Sequence, residues 1–196
     1  MINSLHDINA YILTGGQSRR LNTDKSLVQI NGKTLTEITH KKLTLIFDNI
    51  YIVGKENRFT NFTFIKDVEP VQCPLNGIVT ALEHNKKEWI FVFACDLPLV
   101  QTSSIINIYN NIGLNTQAVL PKVNDKLQPL CAFYHKSVLK EFNNAIAKGD
   151  YSLMKLLDQI ETKKVRIPLN NEEQFLNINY AKDLTRAAEL LKEVNN

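Results

Sequence analysis

Cysteine is scarce in this chain of 196 residues, which has three, Cys73, Cys95 and Cys131. Their number is odd and no two of them form a Cys-x-x-Cys pair, which argues against both a disulfide framework and a cysteine zinc site. Unpaired cysteines are typical of a reducing compartment. We therefore expect a cytoplasmic protein.

Long apolar runs are also missing. No run in the sequence approaches the roughly 20 residues that a membrane-spanning helix needs. The first segment, MINSLHDIN, lacks the basic and apolar regions of a signal peptide. We expect neither a membrane partner nor a signal peptide.

A strong charge of one sign is absent too. The formal net charge is +3, and the basic residues are scattered, so the sequence does not predict a nucleic-acid partner. The mild positive charge is compatible with small anionic ligands. No repeat, low-complexity segment or Pro/Gly/Ser-rich linker divides the chain, so we expect residues 1–196 to form one domain.

What the sequence does contain is an alternation of strand and helix patterns. Short apolar runs predict strands at 10–13, 50–53, 62–65, 89–94, 117–123, 127–135, 165–169 and 175–178. Helical patterns cover 34–47, 76–84, 103–111, 136–147, 151–160 and 180–194. The run WIFVFA at 89–94 is almost entirely apolar, as in a central strand buried on both faces. The alternation predicts an α/β fold, with a mostly parallel sheet flanked by helices.

Ligands of such sheets bind at the carboxyl ends of the strands. This rule directs attention to the loops 14–25, 66–75 and 95–98, each of which follows a predicted strand. The first loop contains Gly15 and Gly16, which let backbone N–H groups approach an anion closely. It also contains Arg19, Arg20 and Lys25, whose side chains donate to phosphate oxygens. These residues favour a polyphosphate ligand, although a solvated basic loop remains an alternative.

Other motifs are not supported. The adjacent glycines do not make the Gly-x-Gly-x-x-Gly dinucleotide fingerprint. The Gly-Lys-Thr at 32–34 is not a Walker A loop because Leu27 stands where that motif requires glycine, and Asn31-Gly32 predicts a hairpin turn instead. The four histidines share no metal-ligand spacing, and Ser18 has no Gly-x-Ser-x-Gly context.

Carboxylates mark the other two loops. Asp96 follows the buried strand 89–94 directly and is a candidate ligand for a divalent metal, because magnesium is typically held by one or two carboxylates plus substrate phosphates. Asp67 follows another strand, where it either contacts a ligand or caps a turn. Asn76 is the predicted N-cap of the helix that follows.

Five segments, in order, resemble the molybdenum cofactor guanylyltransferase family, or molybdopterin-guanine dinucleotide synthases. That family begins with Leu-Ala-Gly-Gly-x-Ser-x-Arg-Met-Gly-x-Asp-Lys, and this chain has LTGGQSRRLNTDK at 13–25. The family segments Gly-Pro-Leu-x-Gly-Ile and Cys-Asp-x-Pro are similar to CPLNGI at 73–78 and CDLP at 95–98. QPL at 128–130 and FLNIN at 175–179 also look like the family. The resemblance spans nearly the whole chain.

Four of the chain's departures from the family pattern bear on this resemblance. Leu21-Asn22 stands in place of Met-Gly, and Cys73 in place of glycine. Gly54 occupies a position where the family often has asparagine, and Tyr180-Ala181 replaces Thr-Pro. None of these departures removes Lys25, Asp96 or the paired glycines.

The resemblance implies a Rossmann-like nucleotidyltransferase fold and a reaction that transfers GMP from GTP to the terminal phosphate of molybdenum-molybdopterin, releasing pyrophosphate. It implies Mg²⁺ as cofactor. The implied partners are GTP, molybdenum-molybdopterin, and proteins that deliver the cofactor or receive it as molybdoenzymes. The implied nucleotide-binding residues are Leu13, Thr14, Gly15, Gly16, Lys25, Asp67 and Asp96. The implied catalytic residues are Arg20 and Lys25, on the triphosphate, and Asp96, on magnesium. Asn177 and Asn179 would lie near the metal or the reacting phosphates.

Two kinds of alternative remain. A cytidylyltransferase of the same fold usually reads Leu-Ala-Ala-Gly in the first loop, and the pair Gly15-Gly16 favours guanine over cytosine. Another small-molecule nucleotidyltransferase is a weaker rival. A non-catalytic nucleotide-binding accessory protein is the other alternative, suggested by Leu21-Asn22.

Overall fold

The computed structural model of the protein describes residues 5–14, 17–18 and 23–193. The strands are β1 (Asn9–Leu13), β2 (Gln17–Ser18), β3 (Thr23–Asp24), β4 (Gln29–Ile30), β5 (Lys33–Thr34), β6 (Ile50–Gly54), β7 (Phe64–Lys66), β8 (Trp89–Ala94), β9 (Ala118–Val123), β10 (Lys126–Leu127), β11 (Cys131–His135) and β12 (Thr162–Arg166). The α-helices are α1 (Leu35–Leu43), α2 (Pro74–His84), α3 (Thr102–Tyr109), α4 (Leu139–Ala147), α5 (Leu153–Leu157) and α6 (Ala181–Glu193). Short 3-10 turns span Lys25–Leu27, Lys136–Val138 and Leu169–Phe175.

A mixed sheet forms the centre of the described chain. Its order is β10, β9, β11, β8, β1, β6, β7, with β12 beside β9. Strands β8, β1, β6 and β7 run parallel, and β11 is antiparallel to both β8 and β9. The prediction of a mostly parallel sheet flanked by helices is confirmed, with β11 inserted against the common direction.

The sheet is buried on both faces because its strands are apolar at consecutive positions. On β1, Ala10 and Ile12 face one core cluster, while Tyr11 and Leu13 face the other. Helices α1 and α3 cover the first face and α2, α4 and α5 cover the second, since their apolar side chains belong to those clusters. The run WIFVFA forms β8 between β1 and β11, as predicted for a central strand.

Local signals explain where two helices begin. Helix α1 starts after Thr34, whose hydroxyl accepts from the Glu37 N–H while the Glu37 carboxylate accepts from the Thr34 N–H, a reciprocal capping box. Helix α2 starts at Pro74, where proline is favoured because its missing N–H would have had no partner. No helix in the described part of the chain is long and apolar enough to cross a membrane.

Two predictions about local structure are wrong. Asn76 is not an N-cap, because α2 begins two residues earlier, at Pro74. The segment 175–178 is not a strand: the 3-10 turn Leu169–Phe175 precedes an extended segment that joins no sheet. That segment instead contacts the loop after β8, where the Ile178 N–H donates to the Asp96 carbonyl oxygen at 2.9 Å.

Candidate active site

A pocket opens at the carboxyl ends of β1, β6 and β8. It is lined by residues from all three loops predicted from the sequence, and by parts of β6, α2 and the segment before β11: Leu13, Thr14, Lys25, Val53, Asp67, Cys73, Pro74, Gly77, Ala94, Cys95, Asp96 and Leu130. The three loops that the strand-end rule singled out therefore meet around one pocket at one edge of the sheet.

The centre of the pocket is an ion pair between Lys25 and Asp96. Lys25 Nζ lies 2.7 Å from Asp96 Oδ2 and donates a second hydrogen bond to Asn179 Oδ1 at 2.6 Å. The two charged side chains are 18% and 16% exposed, so water screens the pair only partly. The structure thus brings together three predicted site residues that lie far apart in the sequence.

Local contacts hold Lys25 and Asn179 in place. Asp24 Oδ1 accepts from the N–H and the hydroxyl of Ser26, at 2.9 and 2.7 Å, and so caps the short turn that begins at Lys25. Asp183 Oδ2 accepts from the Asn179 N–H at 3.0 Å and fixes that residue at the entry to α6. The Asp24 cap and the Asp183 contact were not identified from the sequence.

Asp67 is the second carboxylate of the pocket. Its Oδ1 atom is buried and accepts no hydrogen bond from the described residues. Burial raises the pKa of Asp67, and the nearby charge of Lys55 lowers it by a smaller amount. A buried acceptor without a partner is costly, and in this pocket it is suited to a ligand that donates.

The loop after Asp67 is braced by Asn76, which explains why this buried asparagine lies inside α2. Asn76 Nδ2 donates to the carbonyl oxygens of Glu69 and Val71, at 2.7 and 2.9 Å, and Oδ1 accepts from the Glu69 N–H at 3.2 Å. The side chain therefore satisfies the loop backbone. The sequence drew attention to Asn76, but as the N-cap of a helix and not as a brace of this loop.

Some of the remaining predicted residues line the pocket, and others do not or lie outside the described residues. Leu13 lines the pocket and packs against α2, where a Cβ on Gly77 would lie 3.1 Å from the Leu13 methyl carbons. Asn177 is half-buried and is not among the described pocket residues; its amide donates to the Phe175 carbonyl at 3.4 Å. Three residues predicted at the site, Gly15, Gly16 and Arg20, lie outside the described residues. Leu21-Asn22 lies outside them too.

Two residues at the site were not singled out from the sequence: Val53, which lines the pocket, and Lys55, whose charge influences Asp67. Cys73 and Leu130, from the family-like segments 73–78 and 128–130, also line the pocket. Cys95 also lines the pocket; it is buried, and burial raises the pKa of its thiol, which keeps it protonated. Val53 could have been predicted by the strand-end rule, because it is the last residue of the predicted strand 50–53.

Thr14 and Gly54 face each other across the ends of β1 and β6. The Thr14 hydroxyl donates to the Val53 carbonyl oxygen at 3.0 Å. A Cβ added to Gly54 would lie 2.6 Å from that hydroxyl oxygen, closer than any normal contact. Thr14 therefore leaves no room for a side chain at position 54.

Gly54→Ala is expected to destabilise the protein by about 1–3 kcal/mol, because an extra methyl group must displace Thr14 in a packed site. Thr14→Ala removes the obstructing hydroxyl, so the double variant should recover most of that loss. Urea unfolding of the wild type, both single variants and the double variant measures this. Equal midpoints for wild type and Gly54→Ala would contradict the steric explanation.

The polar residues of the pocket fit magnesium brought by a nucleotide. Within 5–14, 17–18 and 23–193, no three His, Cys, Asp or Glu side chains cluster in a way that could hold a metal. Magnesium does not need such a cluster, since one or two carboxylates and substrate phosphates suffice. Asp96 and the amide oxygen of Asn179 are oxygen donors of this kind, and both converge on Lys25.

A mixed, mostly parallel sheet flanked by helices, with Lys25 and Asp96 in a pocket at its carboxyl edge, is typical of the Rossmann-like nucleotidyltransferase class. A family model described as "MobA-like NTP transferase domain" matches residues 10–165. The chain belongs to this family, and its resemblance to molybdenum cofactor guanylyltransferases is confirmed.

Two relatives and one solved structure show how far the similarity extends. The molybdenum cofactor guanylyltransferase of Campylobacter jejuni subsp. doylei is 31% identical over 191 residues, covering 96% of this chain and 99% of the relative. The probable molybdenum cofactor guanylyltransferase of Aquifex aeolicus is 33% identical over 187 residues, covering 93% and 92%. The structure of molybdopterin-guanine dinucleotide biosynthesis protein A from Archaeoglobus fulgidus superposes with a TM-score of 0.81 at 25% identity, covering 94% and 99%.

Proposed function

We propose that this protein transfers GMP from GTP to the terminal phosphate of molybdenum-molybdopterin, giving the guanine dinucleotide cofactor and pyrophosphate. The observation that carries the proposal is the contact of Lys25 with both Asp96 and Asn179, at a pocket that Lys25, Asp96 and Asp67 line. The names of the relatives agree with it.

The reaction requires little covalent chemistry from the protein. The attacking atom is an oxygen of the acceptor phosphate, which is already anionic, so no side chain has to remove a proton. A bond forms from that oxygen to the α-phosphorus of GTP, and the bond from the α-phosphorus to the bridging oxygen of pyrophosphate breaks. Such transfers depend on positioning and on electrostatic stabilisation.

Lys25 and Asp96 would supply that stabilisation. We infer that the triphosphate competes with Asp96 for Lys25 Nζ. The Lys25 side chain is 18% exposed and lines the pocket, so a bound phosphate would be within its reach. Arg20 would add a second cation. Magnesium, held by Asp96 and the substrate phosphates, would neutralise charge on the triphosphate and the leaving pyrophosphate. Asn179 would keep Lys25 aimed at the reacting groups, and Asn177 would lie nearby.

Asp67 would contact the guanosine part of the substrate. Guanine presents two adjacent donors, N1–H and the N2 amino group, and a carboxylate accepts both. The partnerless Oδ1 atom of Asp67 fits such a donor. Cytosine offers one amino donor beside an acceptor nitrogen, so the same carboxylate discriminates against it. The rest of the nucleotide-binding site would be lined by Leu13, Thr14, Gly15 and Gly16.

Nucleotide binding tests the proposal directly. Calorimetry with magnesium is expected to show tighter binding of GTP than of CTP or ATP, and Asp67→Asn should reduce the preference about tenfold by replacing one acceptor with a donor. The control is Glu69→Gln, because Glu69 is an exposed acidic residue of the same loop. This variant should bind the three nucleotides as the wild type does.

The outcomes separate the alternatives. A preference for CTP would favour a cytidylyltransferase of the same fold. Binding of GTP without release of pyrophosphate, when molybdenum-molybdopterin is supplied, would favour the non-catalytic accessory protein. Release of pyrophosphate that requires both GTP and the acceptor supports the transferase, and proteins that deliver or receive the cofactor could then be tested as partners.

A further inference from the structure

Lys42 carries a mostly buried amine that the proposed reaction does not use. It lies near the end of α1, and its Nζ atom donates a hydrogen bond to the backbone carbonyl of Pro98. No carboxylate of the described residues lies within ion-pair distance of that amine. Burial lowers the pKa of Lys42 to about 8. Lys42 is not among the described pocket residues.

An ammonium group in this position is costly. Charged groups that leave water without a charged partner lose hydration that one carbonyl oxygen replaces only in part. An apolar side chain of similar length would avoid that cost at the same place. A lysine at this place therefore suggests a role that depends on its hydrogen bond.

The hydrogen bond ends on the loop that carries Asp96. Before Asp96, the loop is held by the Cys95 N–H, which donates to the Leu13 carbonyl at 3.3 Å. At Asp96 itself, the carbonyl oxygen accepts from the Ile178 N–H at 2.9 Å. After Asp96, Pro98 has no N–H to donate, and its carbonyl is held by Lys42 from α1. The loop is thus pinned on each side of the carboxylate by a different part of the chain.

We propose that Lys42 is a positioning residue for Asp96. By fixing Pro98, it holds the turn so that the Asp96 carboxylate points at Lys25 and toward the nucleotide phosphates. The inference rests on the proposed function for the role of Asp96, but the mechanical link from Lys42 to the loop does not.

The link is tested by amide hydrogen exchange on Lys42→Met, with Lys41→Met as the matched control because Lys41 is the exposed neighbour on the same helix. Loss of one hydrogen bond should speed exchange of the Leu97 and Val100 amides about tenfold relative to amides of β8. Lys42→Arg, which retains a donor, should exchange more slowly than Lys42→Met. Lys41→Met should match wild type.

A second measurement links the loop to the ligand. The magnesium concentration that half-saturates GTP binding, measured by calorimetry, should rise about tenfold in Lys42→Met, while GTP binding without magnesium should stay the same.

The results separate this inference from the proposed function. Unchanged exchange at Leu97 and Val100, or faster exchange spread equally over β8, would overturn the positioning role. An unchanged magnesium requirement despite faster loop exchange would overturn the connection to Asp96. Wild-type protein that binds no GTP would overturn the proposed function, while the exchange result would still decide whether Lys42 holds the loop.

Discussion

Lys25→Met is expected to lower kcat for GMP transfer by about a hundredfold to a thousandfold, the range seen when a group that stabilises transition-state charge is removed. Methionine keeps the length of the side chain and removes only the cation. Asp96 and Asn179 each lose a hydrogen bond from Nζ, and an unsatisfied carboxylate costs about 1–3 kcal/mol. Some loss of stability is therefore expected, although turnover should fall much further than the folded fraction. Steady-state kinetics at saturating GTP, well below the melting temperature, measures the effect.

The control for this variant is Lys33→Met. Lys33 is exposed in the short hairpin of β4 and β5 and does not line the pocket. It should leave kcat, the KM for GTP and the unfolding midpoint close to wild type, since isolated surface charges contribute little. If Lys25→Met turned over as fast as Lys33→Met, Lys25 would have no part in the reaction.

Much of the site could be predicted because its loops follow strands with strong sequence signals. The runs at 10–13 and 89–94 are apolar throughout, and they form adjacent parallel strands, with Leu13 paired to Ala94. Residues that follow two such strands must meet at one edge of the sheet. Lys25 and Asp96 meet there although 71 positions separate them.

The C-terminal contact could not be derived from local pattern. Asn179 reaches Lys25 across 154 positions of the sequence, and the segment before it was predicted to be a strand because Phe175, Leu176 and Ile178 are apolar. In the structure Phe175 is buried at the end of a 3-10 turn and Ile178 is buried in the segment that follows, outside the sheet. Apolar residues report burial, but not whether their backbone pairs with another strand.

Asn76 and Lys42 show the same limit for polar residues. Asparagine near the start of a helix favours an N-cap, yet Asn76 is fully buried and bonds to the backbone of the loop 69–71. Lys42 belongs to a helix whose pattern gave no reason to expect a buried amine. Both residues satisfy backbone groups of loops that become neighbours only once the sheet has formed, so tertiary structure decides their roles.

Asp96→Asn tests the acidic half of the ion pair. Asparagine retains an oxygen that accepts from Lys25 Nζ, so the hydrogen bond can persist while the negative charge is lost. We expect kcat to fall by about a hundredfold to a thousandfold, and activity to respond only weakly to added magnesium, since the variant lacks the carboxylate charge that attracts the ion. This separates the two variants: Lys25→Met should lower kcat at every magnesium concentration, whereas Asp96→Asn should also change the magnesium dependence itself.

The double variant Lys25→Met/Asp96→Asn sharpens this comparison, because side chains in direct contact are not energetically independent. Its loss of kcat should be smaller than the product of the two single losses, since each single change already breaks the same ion pair. Asp125→Asn is the control for the charge change: this carboxylate is 84% exposed and pairs with Lys122, away from the pocket, and its kinetics should match wild type. Normal magnesium dependence in Asp96→Asn, with multiplicative losses in the double variant, would show that Lys25 and Asp96 act separately and that the metal is held elsewhere.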